Sequence, residues 1–173
     1  MNNKIITVLR FCVLPLVIAA LSLSAVALAQ DDPAARSKSS SLSVKDKTFM
    51  KKAAKGGMME VAFGNLAEQN AQSEDVKSFG KRMVTNHSKA NDELKKIAAE
   101  KNVQLPNKEP TLKWSSDKAY MDAMVKDHEK DLAEFKEEAT SGSDPDVKEF
   151  ADDTAKMVEE HLDLAKETQG KLK

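Results

Sequence analysis

The chain has 173 residues, of which 32% are charged, 40% apolar and 5% aromatic, with 6 Gly and 5 Pro. So few aromatics, glycines and prolines argue against a β-sandwich or barrel, and the length excludes two large domains. With 27 Lys and Arg against 28 Asp and Glu the net charge is −1, which gives no electrostatic reason for nucleic acid or an anionic membrane to bind.

Residues 1–29 predict an export signal peptide. Lys4 and Arg10 lead into an apolar run from Phe11 to Ala29, and Ala27-Leu28-Ala29 supplies the small residues a signal peptidase requires. Cleavage after Ala29 places the mature chain outside the cytoplasm, periplasmic or secreted. The same run is long enough to cross a bilayer if uncut, and the domain is then membrane-anchored. Cys12, the one cysteine, lies in this segment, so a soft ligand in the mature chain has to be Met or His. Residues 30–43 are rich in Asp, Ser, Lys and Ala, with Pro33 and no periodic apolar positions. Such a stretch cannot offset the entropy of ordering and reads as a flexible linker.

Residues 44–173 contain four amphipathic stretches. The first, about Lys45 to Asn70, carries a stripe at Phe49, Ala53, Gly56, Met59, Phe63, Leu66 and Ala67, with Ser43 and Asp46 as a start cap. Adjacent Gly56 and Gly57 cost a helix about 2 kcal/mol relative to alanine. Two explanations fit them: close approach of a neighbouring helix or of Trp114, or a regular helix that begins only near Met58. The second stretch, about Glu74 to Lys101, is capped by Ser73 and places Val76, Phe79, Met83, His87, Ala90, Leu94 and Ile97 on one face. Pro106 and Pro110 are expected to stop it.

The third stretch, about Ser116 to Thr140, puts Tyr120, Met124, His128, Leu132 and Phe135 in register. Asp144 and Pro145 begin the fourth, whose inward positions are Val147, Phe150, Thr154, Met157, His161, Leu164 and Thr168. Helices of about 25 residues cannot bury their stripes alone, and the two short turns fold them into antiparallel hairpins. An up-down-up-down four-helix bundle is expected.

All three histidines fall on core stripes of different helices, each four residues after a methionine. With both short turns assigned to one end of the bundle, Glu60, His87, His128 and His161 lie within roughly 8 Å along the axis. One carboxylate and three imidazoles form a plausible ligand set for one divalent ion, with Zn, Fe, Mn or Cu the candidates. The alternative is three core histidines whose nitrogens bond to polar neighbours or buried water. Met59, Met83 and Met157 come out at similar heights, so a thioether layer suited to copper is a further option. A ferritin-type di-iron centre is disfavoured, because Val84, Val125 and Val158 stand where Glu-x-x-His motifs require glutamate. No substrate can be identified, since the sequence has no mature Cys, Gly-rich phosphate loop or Gly-x-Ser-x-Gly elbow.

The string Ala53-Ala54-Lys55-Gly56-Gly57-Met58-Met59-Glu60-Val61, then Gly64-Asn65-Leu66-Ala67, Ser73 to Phe79, and Met83-Val84-Thr85-Asn86-His87 with Asn91 and Leu94 resembles the family known as domain of unknown function 4142. Asp127-His128 and the segment from Phe150 to His161-Leu162 continue the match, which covers about residues 45–170. The resemblance implies a ferritin-like four-helix bundle in bacterial secreted, periplasmic or predicted outer-membrane proteins, some associated with stress responses. It brings no established activity and no catalytic residues. Glu60, His87, His128 and His161 match the family pattern, whereas Asp117-Lys118-Ala119-Tyr120 lacks the phenylalanine usual at that point. The expected function is that of an exported ferritin-like protein, binding a divalent metal in its core and protecting the envelope from stress. The alternatives are a structural or partner-binding envelope protein with no metal, and a periplasmic copper-binding protein.

Overall fold

The protein is described by a computed structural model covering residues 42–108 and 110–172; the export segment and nearly all of the linker lie outside these. The described residues form an all-α four-helix bundle: α1 (Val44–Asn70), α2 (Glu74–Glu100), α3 (Asp117–Ser141) and α4 (Pro145–Lys171). Among the described residues no helix is long and apolar enough to cross a membrane.

The helix ends follow from local chemistry, with two departures from expectation. The Ser43 hydroxyl accepts from the Asp46 amide at 3.0 Å and the Asp46 carboxylate accepts from the Ser43 amide at 3.0 Å, which completes a capping box on α1. Asp144 accepts from the amides of Asp146 and Val147, and Pro145 opens α4. At α2, however, the Ser73 side chain makes no capping bond. Asp117, at the start of α3, instead takes the Gln72 amide and the Ser73 amide, the latter at 2.7 Å. Nor do the prolines end α2. Asn102 adopts a left-handed φ of 55°, and the Val103 amide reaches back to the Ala98 carbonyl at 2.8 Å. This is a Schellman closure with asparagine in the place glycine usually holds.

The polar contacts also fix the direction of each helix. Asp46 at the start of α1 accepts from the Ser143 amide at 2.9 Å, and Lys101 beyond α2 pairs with Asp144 at 2.8 Å. At the other end Asp117 holds Gln72 and Ser73, and Lys171 pairs with Asp75. The two short turns therefore lie at opposite ends, and α2 runs parallel to α3. The expected up-down-up-down order is corrected to up-down-down-up, and the connection from α2 to α3 has to join opposite ends of the bundle. At ~3.3 Å per extended residue this connection is long enough to retrace a helix of ~40 Å. A single long crossover of this kind is the ferritin-like arrangement. Short turns dictate antiparallel hairpins but say nothing about how two hairpins are laid together.

α1 packs chiefly on α2 and α3 on α4, while α2–α4 and α1–α3 close the remaining sides. The core falls into two apolar clusters. One contains Phe49, Met50, Leu94, Phe135, Val147, Phe150 and Val158, with Phe49 edge-on to Phe135 at 5.1 Å. The other contains Val76, Phe79, Met83, Tyr120, Met121 and Met124. The histidines are buried in mid-helix between them. Close packing of α1 on α2 depends on glycine: a Cβ on Gly64 would meet the Gly80 carbonyl oxygen at 2.6 Å, and one on Gly80 the Ala67 Cβ at 2.8 Å. At Gly57 a Cβ would run into the Asn91 side chain, which would have to turn away to admit it. Gly56 is different, since its nearest neighbour would be Asp131 Oδ2 at 3.8 Å. α1 is regular through both glycines, and Trp114 packs elsewhere, 5.5 Å from the Tyr120 ring. Gly57 is thus explained by close approach, while Gly56 costs the helix about 1 kcal/mol with no steric return.

Candidate metal centre

Glu60, His87, His128 and His161 are all buried, with exposures of 4%, 6%, 1% and 0%. Their level placement survives the corrected chain direction, because each stands near the middle of its helix and a midpoint keeps its height when a helix is reversed. The three imidazoles form a triangle, with ring centroids separated by 5.8 Å (His87–His128), 5.2 Å (His87–His161) and 5.6 Å (His128–His161). One potential ligand atom from each lies within 4.8 Å of the other two.

Hydrogen bonds define which nitrogens are available. His128 Nδ1 lies 2.9 Å from the Met124 carbonyl oxygen, which can only accept, so Nδ1 carries the proton and the buried Nε2 keeps an unpartnered lone pair. A backbone carbonyl fixing the tautomer of a histidine is the usual support of a metal ligand. His161 Nε2 lies 2.9 Å from the Asn86 side-chain amide. The atom in contact is the Asn86 NH2 nitrogen, which donates to Nε2 and leaves the ring proton on the buried, unpartnered Nδ1; ligation through Nδ1 requires loss of that proton and an Asn86 amide turned over to accept from Nε2. His87 Nε2 is buried and unpartnered as well.

Burial keeps these rings neutral. Desolvation pushes His87 well below the ordinary histidine range, reinforced by His161 and His128. It lowers His128 against the opposing effects of the Met124 carbonyl and Asp127. His161 falls to about 3 through desolvation, then His128 and Arg82. Neutral imidazole is the form that binds metal. In tetrahedral geometry with metal–nitrogen bonds of about 2.1 Å, ligand nitrogens stand about 3.4 Å apart. The widest separation here of 4.8 Å therefore closes with ring movements of no more than about 1.4 Å. The donor set fits one transition-metal ion.

Glu60 points inward from α1, yet its carboxylate is not among the converging ligand atoms. Its Oε2 has no partner, and burial first, then the charges of Asp131 and Asp127, push its pKa up to about 8. It is therefore mostly a neutral acid at pH 7. The methionines do not assemble into one layer. Met83 belongs to one core cluster, Met157 packs against the other, and Met59 lines a cavity between α1 and α3. The reason is again helix direction: a residue four before a histidine lies toward opposite ends of the bundle on α2 and on α4.

Sequence periodicity missed Asn86, which adjoins a stripe histidine without lying on the stripe, and Asp131, one turn beyond Asp127-His128. It also missed the buried pair Asp46 and Glu138, joined by a hydrogen bond at the end of the bundle. No periodicity marks such a pair, because the partners come from different helices.

No curated protein and no solved structure matches the chain. The family model described as domain of unknown function (DUF4142) matches residues 31–168, most of the chain, and the protein belongs to that family.

Proposed function

We propose that this protein binds one divalent transition-metal ion through His87, His128 and His161, in an exported setting where holding such an ion serves envelope protection. The observation that carries this reading is the convergence of three buried, neutral imidazoles with unpartnered nitrogens. Left without a cation, those nitrogens would stand as buried polar atoms with no compensation, which native cores rarely tolerate. Imidazole donors suit Zn, Cu and Fe better than Mn, which prefers oxygen ligands. Two iron ions are a poor fit, since the surrounding carboxylates do not converge with the rings.

Thermal unfolding provides the test, on wild type and His128→Ala, each with chelator and with Zn, Mn, Fe(II) or Cu added in turn. A ligand at 100 times its Kd stabilises the fold by about 2.7 kcal/mol, and His128→Ala removes most of that gain. Equal unfolding temperatures of the wild type in all conditions would leave the histidines as packing residues. The export component is tested separately: protein recovered from the periplasm begins at Gln30, whereas full-length protein in the membrane fraction contradicts cleavage.

A further inference from the structure

A cavity of about 270 Å³ opens between α1 and α3, bordered by Gly56 and Gly57 on one wall and Asp131 on the other, and His87 forms part of its lining. Gly56 has room for a side chain, its nearest neighbour lying 3.8 Å from where a Cβ would be. The helix thus carries a destabilising residue that no close contact requires. What any side chain at position 56 would do is fill the mouth of this cavity.

His87 is the member of the triangle that lines this cavity, and its Nε2 is buried and unpartnered behind the lining. Three protein ligands around a tetrahedral ion leave one coordination position for an exogenous molecule. The chemistry of the passage limits what that molecule can be. Lys52 and Lys130 border the mouth paired with Glu134 at 3.4 Å and Asp131 at 3.9 Å, so these four groups balance and Lys55 leaves the rim with its net positive charge. Deeper in, Phe49, Phe135 and Phe150 make the walls apolar. A cationic rim over an apolar throat admits weakly hydrated monoanions and disfavours strongly hydrated dianions.

We propose that the α1–α3 cavity is the entry path and pocket for a small monoanion of two or three heavy atoms that occupies the fourth coordination position of the ion held by His87, His128 and His161. The inference rests on the metal reading above. Binding is a simple ligand exchange: the anion donates a lone pair to the ion and a coordinated water leaves.

The test uses azide on the Cu(II)-loaded protein, read by the azide-to-copper charge-transfer band. Three proteins are compared: the wild type, Gly56→Leu, which plugs the mouth, and Ala53→Leu, which narrows the same wall one turn away. The loaded wild type develops the band and metal-free protein does not. Both variants take up copper at wild-type stoichiometry and bind azide at least about tenfold more weakly. If one variant does not fold, the other decides. A copper-loaded wild type with no azide band overturns this inference while the metal reading stands, and so does unchanged azide affinity in the folded variants. Failure to bind copper or any other divalent ion overturns both.

Discussion

Replacing Glu60 by Gln tests whether the core holds an acid beside the histidines. The carboxyl is 4% exposed and its pKa is pushed from 4.5 up to about 8 in the folded protein. A raised carboxyl contributes stability fully below its unfolded pKa and loses it as pH rises toward the folded value. Between pH 5.5 and 7 the unfolded chain releases this proton while the native protein largely keeps it, which costs the wild type about 2 kcal/mol. Glutamine has the same shape and does not titrate. In urea unfolding with chelator, the stability of Glu60→Gln relative to wild type therefore rises by about 2 kcal/mol over that interval. The buried histidines act in the opposite sense: their depressed pKa values withdraw stability as pH falls below about 6.5, but they cancel in the difference between the two proteins. A pH-independent difference would refute the burial of a protonated Glu60.

Other perturbations probe the frame around the site. Gly64→Ala forces a Cβ onto the Gly80 carbonyl oxygen and destabilises by roughly 1–3 kcal/mol, whereas Gly56→Ala stabilises by about 1 kcal/mol; a stability loss at Gly56 in thermal unfolding would contradict the room seen there. Leu94 and Phe150 are 1% and 3% exposed, so Leu94→Ala costs about 2–5 and Phe150→Ala about 3–5 kcal/mol, and a change below about 0.5 kcal/mol in urea unfolding would be incompatible with core positions. At the far end of the bundle, burial first and then the hydrogen bond with Asp46 and its charge raise Glu138 to about 7. The Glu138 share of stability is full below pH 4.5 and is lost as pH rises through about 7, whereas Asp46, held below its ordinary range, loses its share as pH falls. Glu138→Gln therefore flattens the part of the pH–stability curve between 4.5 and 7, and an unaltered curve there would mean the pair does not share a proton.

The helices were legible because their signals are local. Ser43 with Asp46 and Asp144 with Pro145 mark starts, and threes-and-fours spacing marks His87, His128 and His161 as inward. Chain direction was not legible, since it is decided by contacts such as Asp46 to Ser143 and Asp117 to Ser73, made between residues far apart in sequence. The histidine layer came through because mid-helix residues are insensitive to reversal. The methionine layer did not, because its members are offset to opposite sides of that midpoint. In α1 the periodic reading placed Met59, Phe63 and Leu66 fully inward, yet they are half-buried while Met50, Ala54, Glu60 and Gly64 are buried. Close glycine-mediated packing rotates the small residues toward α2, and hydrophobic size alone does not reveal that rotation.

X-ray absorption on the zinc-loaded mature protein reads the donor set directly. The account predicts one zinc per chain with three nitrogen neighbours at about 2.0–2.1 Å, the outer-shell scattering of imidazole rings, and loss of this signature in His128→Ala. Zinc surrounded by oxygen alone, or a spectrum unchanged in His128→Ala, would contradict it.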